Sequence, residues 1–160
     1  MEECIFCKIV AGEIPTNKVY EDENSLAFLD VNPRNPGHTL VIPKKHYETI
    51  LNVPDNEIGE LFKVVKKVAA GVKKATNADG ISISQSNFRA AGQVVPHVHF
   101  HVIPRFNNEG PVGLEGILTI KRLNEESMKK IAESIKNSVS TPTEEEHKKE
   151  TKEEEIDFNF

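Results

Sequence analysis

The stretch VVPHVHFHVIPR, Val94 to Arg105, sets histidine at every second position of an otherwise apolar run, and no other feature narrows the fold so far. On an extended strand alternate side chains share a face, so His97, His99 and His101 point one way while Val98, Phe100 and Val102 point the other. One face packs and the other does chemistry. Neighbouring imidazoles then stand roughly 6.5–7 Å apart along the backbone. Two adjacent rings can share a metal, whereas three on a straight strand hardly can. Placing three imidazoles on one face is costly unless each has a partner.

The remaining segments supply a sheet for that strand. CIFCKIVAG reads as a short helix closed by Gly12, with Ile5, Phe6 and Ile9 on its apolar face. KVYEDENSLAFLDV reads as two strands around an Asp-Glu-Asn turn, and GHTLVIPKKH as a third strand stopped by Pro43. Asp55, after Pro54, is expected to cap a long helix reaching about Thr76, with Ile58, Leu61, Phe62, Val65, Val68 and Val72 recurring at three- and four-residue steps as its apolar stripe. GISISQSN alternates as a fourth strand and HVHFHVIPR as a fifth. Asn124 is expected to cap a C-terminal helix that turns Met128, Ile131, Ile135 and Val139 inward. Strands adjacent in sequence and interrupted by one long helix predict an α+β fold with an antiparallel sheet of about five strands.

At 160 residues and 38% hydrophobic content the chain suits one domain that buries a core without disulfides. Its formal charge of −5 sits at one end: residues 141–160 hold eight acids and three lysines, so residues 1–140 sum to zero. A neutral body argues against duplex nucleic acid as a partner, while small anionic ligands need only local donors. STPTEEEHKKETKEEE has no apolar period, so 141–160 is expected to be a solvated, disordered acidic tail behind a domain spanning 1–140. The terminal IDFNF is either an inert end or a docking segment for a protein partner. No run of eighteen apolar residues suggests a membrane span, and MEECIFCKIV carries acids where a signal peptide has basic residues; a cytoplasmic protein is expected.

Cys4 and Cys7 are the only two cysteines. Their C-x2-C spacing in such a chain points to zinc or redox chemistry. A thioredoxin-like pair follows a core strand, and Cys4 has only three residues before it, so zinc is favoured. A closed tetrahedron needs two further ligands. His46 and one strand histidine are candidates, and spacing alone does not select them.

Several motifs occur in one order: CIFCKIVAGEIP, AFLDVNP, GHTLVIPKKH, and AAGQVVPHVHFHVIPR with the loop from Asn87 to Gln93. From Cys4 to Arg105 they resemble the histidine triad (HIT) family, marked by His-x-His-x-His with apolar residues between, and its zinc-containing Hint-like and diadenosine polyphosphate hydrolase-like branch. The resemblance implies the HIT-like fold and a nucleotide hydrolase. Such an enzyme attacks the α-phosphorus of a purine nucleotide conjugate, then hydrolyses a nucleotidyl-histidine to a nucleoside monophosphate. By position it implies His99 as nucleophile, His101 and Gln93 as donors to the phosphoryl oxygens beside Gly92, and His38 in orientation or proton transfer. It implies a structural zinc held by Cys4, Cys7, His46 and His97. Asp30 matches the acid that binds ribose hydroxyls, and Asn87 a polar residue at ribose or phosphate in a loop that is one residue shorter than in the Hint branch. Ile5, Phe6, Ile9, Phe28 and Val31 match positions that cover the base, and plain core packing accounts for them equally well.

The family further implies a homodimer in which one sheet continues across the interface and part of the long helix is buried. In its phosphoramidase branch the residue after the loop glutamine is a serine that passes a proton toward the leaving amine. Here it is Val94, which favours a dinucleoside polyphosphate over adenosine phosphoramidate as substrate. Two other classes compete: a non-catalytic nucleotide-binding scaffold or sensor acting through the acidic tail, and a cupin-like enzyme using His97 and His99 on one metal.

Overall fold

The structure, a computed structural model, describes residues 4–109 and 120–140. The chain forms two compact units, residues 1–111 and 112–160. The first holds α1 (Ile5–Val10), β1 (Lys18–Glu21), β2 (Ser25–Leu29), β3 (Thr39–Pro43), α2 (Asp55–Thr76), β4 (Gly80–Ser84) and β5 (Phe100–Arg105); the second holds α3 (Glu125–Ser140). All five strands join one antiparallel sheet in the order β1-β2-β3-β5-β4, the α+β architecture expected from the sequence.

Alternation along the central strands sorts side chains between two apolar layers. Ala27, Val41, Val98, Phe100 and Val102 pack with Leu61, Val64, Val65 and Val68 of α2. Leu26, Phe28, Leu40 and Ile42 pack with Cys4, Phe6 and Ile9 around α1. With both faces covered, every residue of β3 is buried. The short α1 is closed as expected at Gly12, whose φ of +78° suits glycine, and Cys4 caps its start by accepting the Cys7 N–H on Sγ (3.5 Å).

In the first unit four expectations need correction. The fifth strand starts at Phe100, not His97, because the β3–β5 ladder ends at the Val41–Phe100 pair. Beyond it the Pro43 carbonyl accepts from the His97 ring (Nε2···O 2.8 Å) instead of from a strand partner, and the Val98 N–H turns to the Tyr47 carbonyl (2.7 Å). The side-chain alternation nevertheless continues through this bend. Asp55 is not the cap of α2: Pro54 occupies that position, its carbonyl accepts the Ile58 N–H (2.9 Å), and Asp55 and Glu57 lie in the first turn, where they favour the helix dipole. Phe62 is half exposed at the flank of α2, edge-on to Phe100, and Val64 takes the buried place, since the stripe Leu61, Val64, Val65, Val68 follows the helical period more closely. β4 ends at Ser84, where Gln85 and Asn87 pair through their side chains and leave the ladder.

In the second unit Asn124 caps α3 as expected, its Oδ1 accepting the Ser127 N–H (2.8 Å). Met128, Ile131, Ile135 and Val139, expected inward, are 46–79% exposed. Periodicity fixes which face of a helix is apolar and not what covers it. The acidic tail and IDFNF lie outside the described residues.

Candidate functional site

Each triad histidine has one ring nitrogen tied to a fixed partner, which assigns its tautomer. A backbone carbonyl only accepts, so His97 Nε2–H donates to Pro43 O (2.8 Å) and leaves Nδ1 as a lone pair. His99 does the reverse: Nδ1–H donates to the His97 carbonyl (2.7 Å), so Nε2 carries the lone pair. His101 is set through a second ring. The Arg34 N–H donates to His38 Nδ1 (3.0 Å), the proton of His38 therefore sits on Nε2, and it donates to His101 Nδ1 (2.9 Å). That leaves His101 Nε2 as a donor. Burial holds both rings of this relay neutral near pH 7. His38 is lowered mainly by burial against the raising effect of Asp30, and His101 is lowered to about 4 by burial, then by His99 and His38.

His97 faces a different group. Its Nδ1 stands 3.4 Å from Cys4 Sγ, 3.6 Å from Cys7 Sγ and 3.2 Å from His46 Nδ1, and His46 Nδ1 is 3.3 Å from Cys7 Sγ. Zinc bonds of about 2.0–2.1 Å to nitrogen and about 2.3 Å to sulfur give tetrahedral edges of about 3.3–3.8 Å, so the four atoms frame a zinc-sized hole. The donor chemistry agrees. Burial and the adjacent Cys4 push the Cys7 thiol up to about 11, so paired thiolates here need a cation between them. The Pro43 carbonyl orients His97 from behind, as an outer partner orients a metal ligand. These residues fit the metal that their spacing suggested. Asp30, His38 and His101 also bring three ligand atoms within 4.8 Å, but the relay above already engages both His38 nitrogens and His101 Nδ1 in internal hydrogen bonds.

Between α1 and the histidine face of the sheet opens a cavity of about 600 Å³. It gathers His99, His101, His38, Asp30 and Gly92, together with Ile5, Phe6, Ile9, Phe28 and Val31. Phe6 meets the His97 and His99 rings edge-on at 5.8 and 5.3 Å, linking the helix, the cysteine group and the cavity. Ile5 and Val31 stay exposed at its mouth, while Phe6, Ile9 and Phe28 are buried in the layer beneath. Gly92 has φ +91°, a conformation that other residues adopt only under strain.

Gln93 and Asn87 are placed elsewhere. Gln93 Oε1 accepts the Phe88 N–H (2.7 Å) and Nε2 donates to the Glu48 carbonyl (2.6 Å), so its amide braces the loop around Phe88, a non-glycine residue at φ +67°. Asn87 Oδ1 accepts the Ile50 N–H (2.9 Å), tying the same loop to the turn before α2. Both amides brace the loop, and neither is among the described residues that line the cavity. Sequence reasoning also missed cavity residues, among them Thr16, Ser84 and Arg34. For Arg34 a signal existed: a lone cation between two prolines in DVNPRNPGH, on the loop that ends at His38.

A family profile described as HIT domain matches residues 11–108. An uncharacterized HIT-like protein of Methanocaldococcus jannaschii is 58% identical over 109 residues, 68% of this chain and 84% of the relative. An adenosine 5'-monophosphoramidase of Schizosaccharomyces pombe is 45% identical over 111 residues, 69% of this chain and 80% of the relative. Among solved structures, a HIT family member from Bacillus subtilis superposes with a TM-score of 0.77 at 38% identity, covering 88% of this chain and 99% of that one. A zinc-bound histidine triad protein from Mycobacterium smegmatis gives 0.65 at 36% identity, covering 78% and 85%. The motifs from Ala27 to Arg105 that suggested a histidine triad thus lie within a matched domain on a matching fold, and the chain belongs to the HIT domain family.

Proposed function

We propose that this protein, a hydrolase of the HIT family, cleaves purine nucleotide conjugates at the α-phosphorus through a nucleotidyl adduct on His99. The observation that carries this reading is the His99 Nδ1–H bond to the His97 carbonyl at 2.7 Å, which leaves Nε2 as a lone pair in a ring that lines the cavity. In the first step Nε2 bonds to phosphorus and the bond to the leaving group breaks, its electron pair departing with that group. In the second step water takes the place of His99, releasing a nucleoside monophosphate and the free imidazole. His101 Nε2–H, oriented through His38, donates to the phosphoryl oxygens as charge grows on them. Asp30 is suited to the ribose hydroxyls, and the apolar wall of Ile5, Phe6 and Phe28 to the base.

We read Cys4, Cys7, His46 and His97 as a structural zinc centre. All four positions come from protein, so none is open to substrate, and the metal would pin α1 to the bend before β5. A homodimer and a cytoplasmic location complete the proposal on family grounds. Two substrate classes fit the mechanism. The monophosphoramidase name of the S. pombe relative favours adenosine phosphoramidate. Val94, an exposed apolar side chain on the cavity wall, favours a dinucleoside polyphosphate, whose leaving group needs no proton.

His99→Asn tests the mechanism. The variant should bind nucleotide and keep its zinc while losing nearly all turnover, and mass spectrometry of a quenched wild-type reaction should find the adduct on His99 alone. Undiminished activity in the variant would refute the nucleophile; nucleotide binding with no turnover by the wild type would leave a scaffold.

A further inference from the structure

The cavity around His99 carries little fixed charge. Among its described lining residues Asp30 is the one acid and Arg34 the one permanent cation. Arg34 rides on a loop fastened at three points: the Asn32 N–H on Asp30 Oδ1 (2.8 Å), the Arg34 N–H on His38 Nδ1 (3.0 Å), and Asn35 Nδ2 on the Pro104 carbonyl (2.8 Å). The backbone is held while the side chain is exposed. Its guanidinium forms no ion pair among the described residues. Two described acids on neighbouring segments have other partners. Glu109 pairs with Arg105 (2.8 Å) and accepts from Asn35, and Asp30 Oδ1 takes the Asn32 N–H. The charge is nonetheless felt at the chemistry, for it disfavours protonation of both His38 and His101.

A guanidinium with five donors and no ion pair among the described residues, on a fastened loop at the wall of a nearly neutral cavity, suits phosphate groups better than a neutral ligand. We infer that Arg34 binds the phosphates beyond the scissile bond, and so selects nucleotide conjugates with anionic polyphosphate leaving groups over those with neutral ones. This rests on the nucleotidyl-transfer reading of the same cavity. When the P–O bond to a polyphosphate breaks, the electron pair leaves on oxygen as an additional negative charge and no proton is required. Arg34 meets that charge. When a P–N bond breaks, the amine must gain a proton, which a guanidinium does not give up, since its pKa lies far above neutral. Val94 points the same way independently, because its side chain has no proton to pass to an amine.

The test measures kcat/KM for diadenosine tetraphosphate and adenosine phosphoramidate on the full chain, as wild type, Arg34→Gln and Arg34→Lys, at low and high salt. Thermal melts check that the variants remain folded. Arg34→Gln should lower the tetraphosphate value at least tenfold more than the phosphoramidate value and flatten its salt dependence, and Arg34→Lys should recover part of the loss. Equal losses on both substrates, or no loss on either, overturn the inference. If the wild type turns over neither substrate, the nucleotidyl-transfer reading fails by itself, and calorimetry with ATP and AMP then decides about Arg34. Wild type should prefer ATP and Arg34→Gln should lose that preference. A preference that survives the substitution overturns the assignment.

Discussion

Gly37→Ala should destabilise the protein by about 2–4 kcal/mol, and Thr76→Ser should rescue part of that loss. Gly37 has φ +97°, which costs an L-residue roughly 1–2 kcal/mol. A Cβ there would stand 2.7 Å from Thr76 Cγ2 at the end of α2, 3.4 Å from Pro104 Cγ and 3.8 Å from Val72 Cγ1. The first contact is too short to persist. Thr76 could turn its methyl away only by giving up the bond from Oγ1 to the Val72 carbonyl (2.8 Å), a loss of about 0.5–1.5 kcal/mol; if it stays, overpacking costs about 1–3 kcal/mol. Serine at position 76 removes Cγ2 and keeps the hydroxyl. In that background Gly37→Ala should therefore show only the backbone term. Urea unfolding reads this directly: with a slope of about 2 kcal/mol per molar, a 3 kcal/mol loss moves the midpoint by about 1.5 M without changing the slope. Because Gly37 precedes His38, turnover should fall and recover along with stability. A neutral Gly37→Ala would refute both the strain and the contact, and a double-mutant cycle with no coupling would refute the contact alone.

Cys4→Ala should lose one equivalent of bound zinc by elemental analysis and several kcal/mol of stability; a variant as stable and as metal-replete as wild type would exclude Cys4 as a ligand. Val94→Ser should shift the kcat/KM ratio toward the phosphoramidate by about tenfold, or about 1.4 kcal/mol at the transition state; an unmoved ratio would mean that another group supplies the leaving-group proton. Stability should fall as pH drops from about 6.5 toward 4, because unfolded His101 takes its proton near the ordinary value while the folded ring, lowered by burial, resists until about 4, and His38 shifts in the same direction. His101→Gln should flatten that part of the urea midpoint against pH curve, and an identical curve for the variant would remove His101 as its source.

The sequence by itself determined the elements and the chemistry available. Alternation in VHFHV sets two faces, the short apolar runs SLAFL and TLVIP bounded by turn residues place two further strands, and the ordered motifs point to the HIT family. Tertiary structure decided what depends on distance. C-x2-C spacing asked for two more ligands, and only the fold shows that His46 Nδ1 and His97 Nδ1 converge on the cysteines. The tautomer of His101 depends on the Arg34 N–H through His38, a link across 63 residues that no local pattern encodes. Polar loop residues were the least legible: Gln93 and Asn87 hold backbone groups outside the cavity lining, while Arg34 attracted no notice and lines the cavity. The physical reason is that an amide or guanidinium serves backbone and ligand with the same donors. Which one it meets is set by where the loop lies, and the loop is held by contacts far away in sequence.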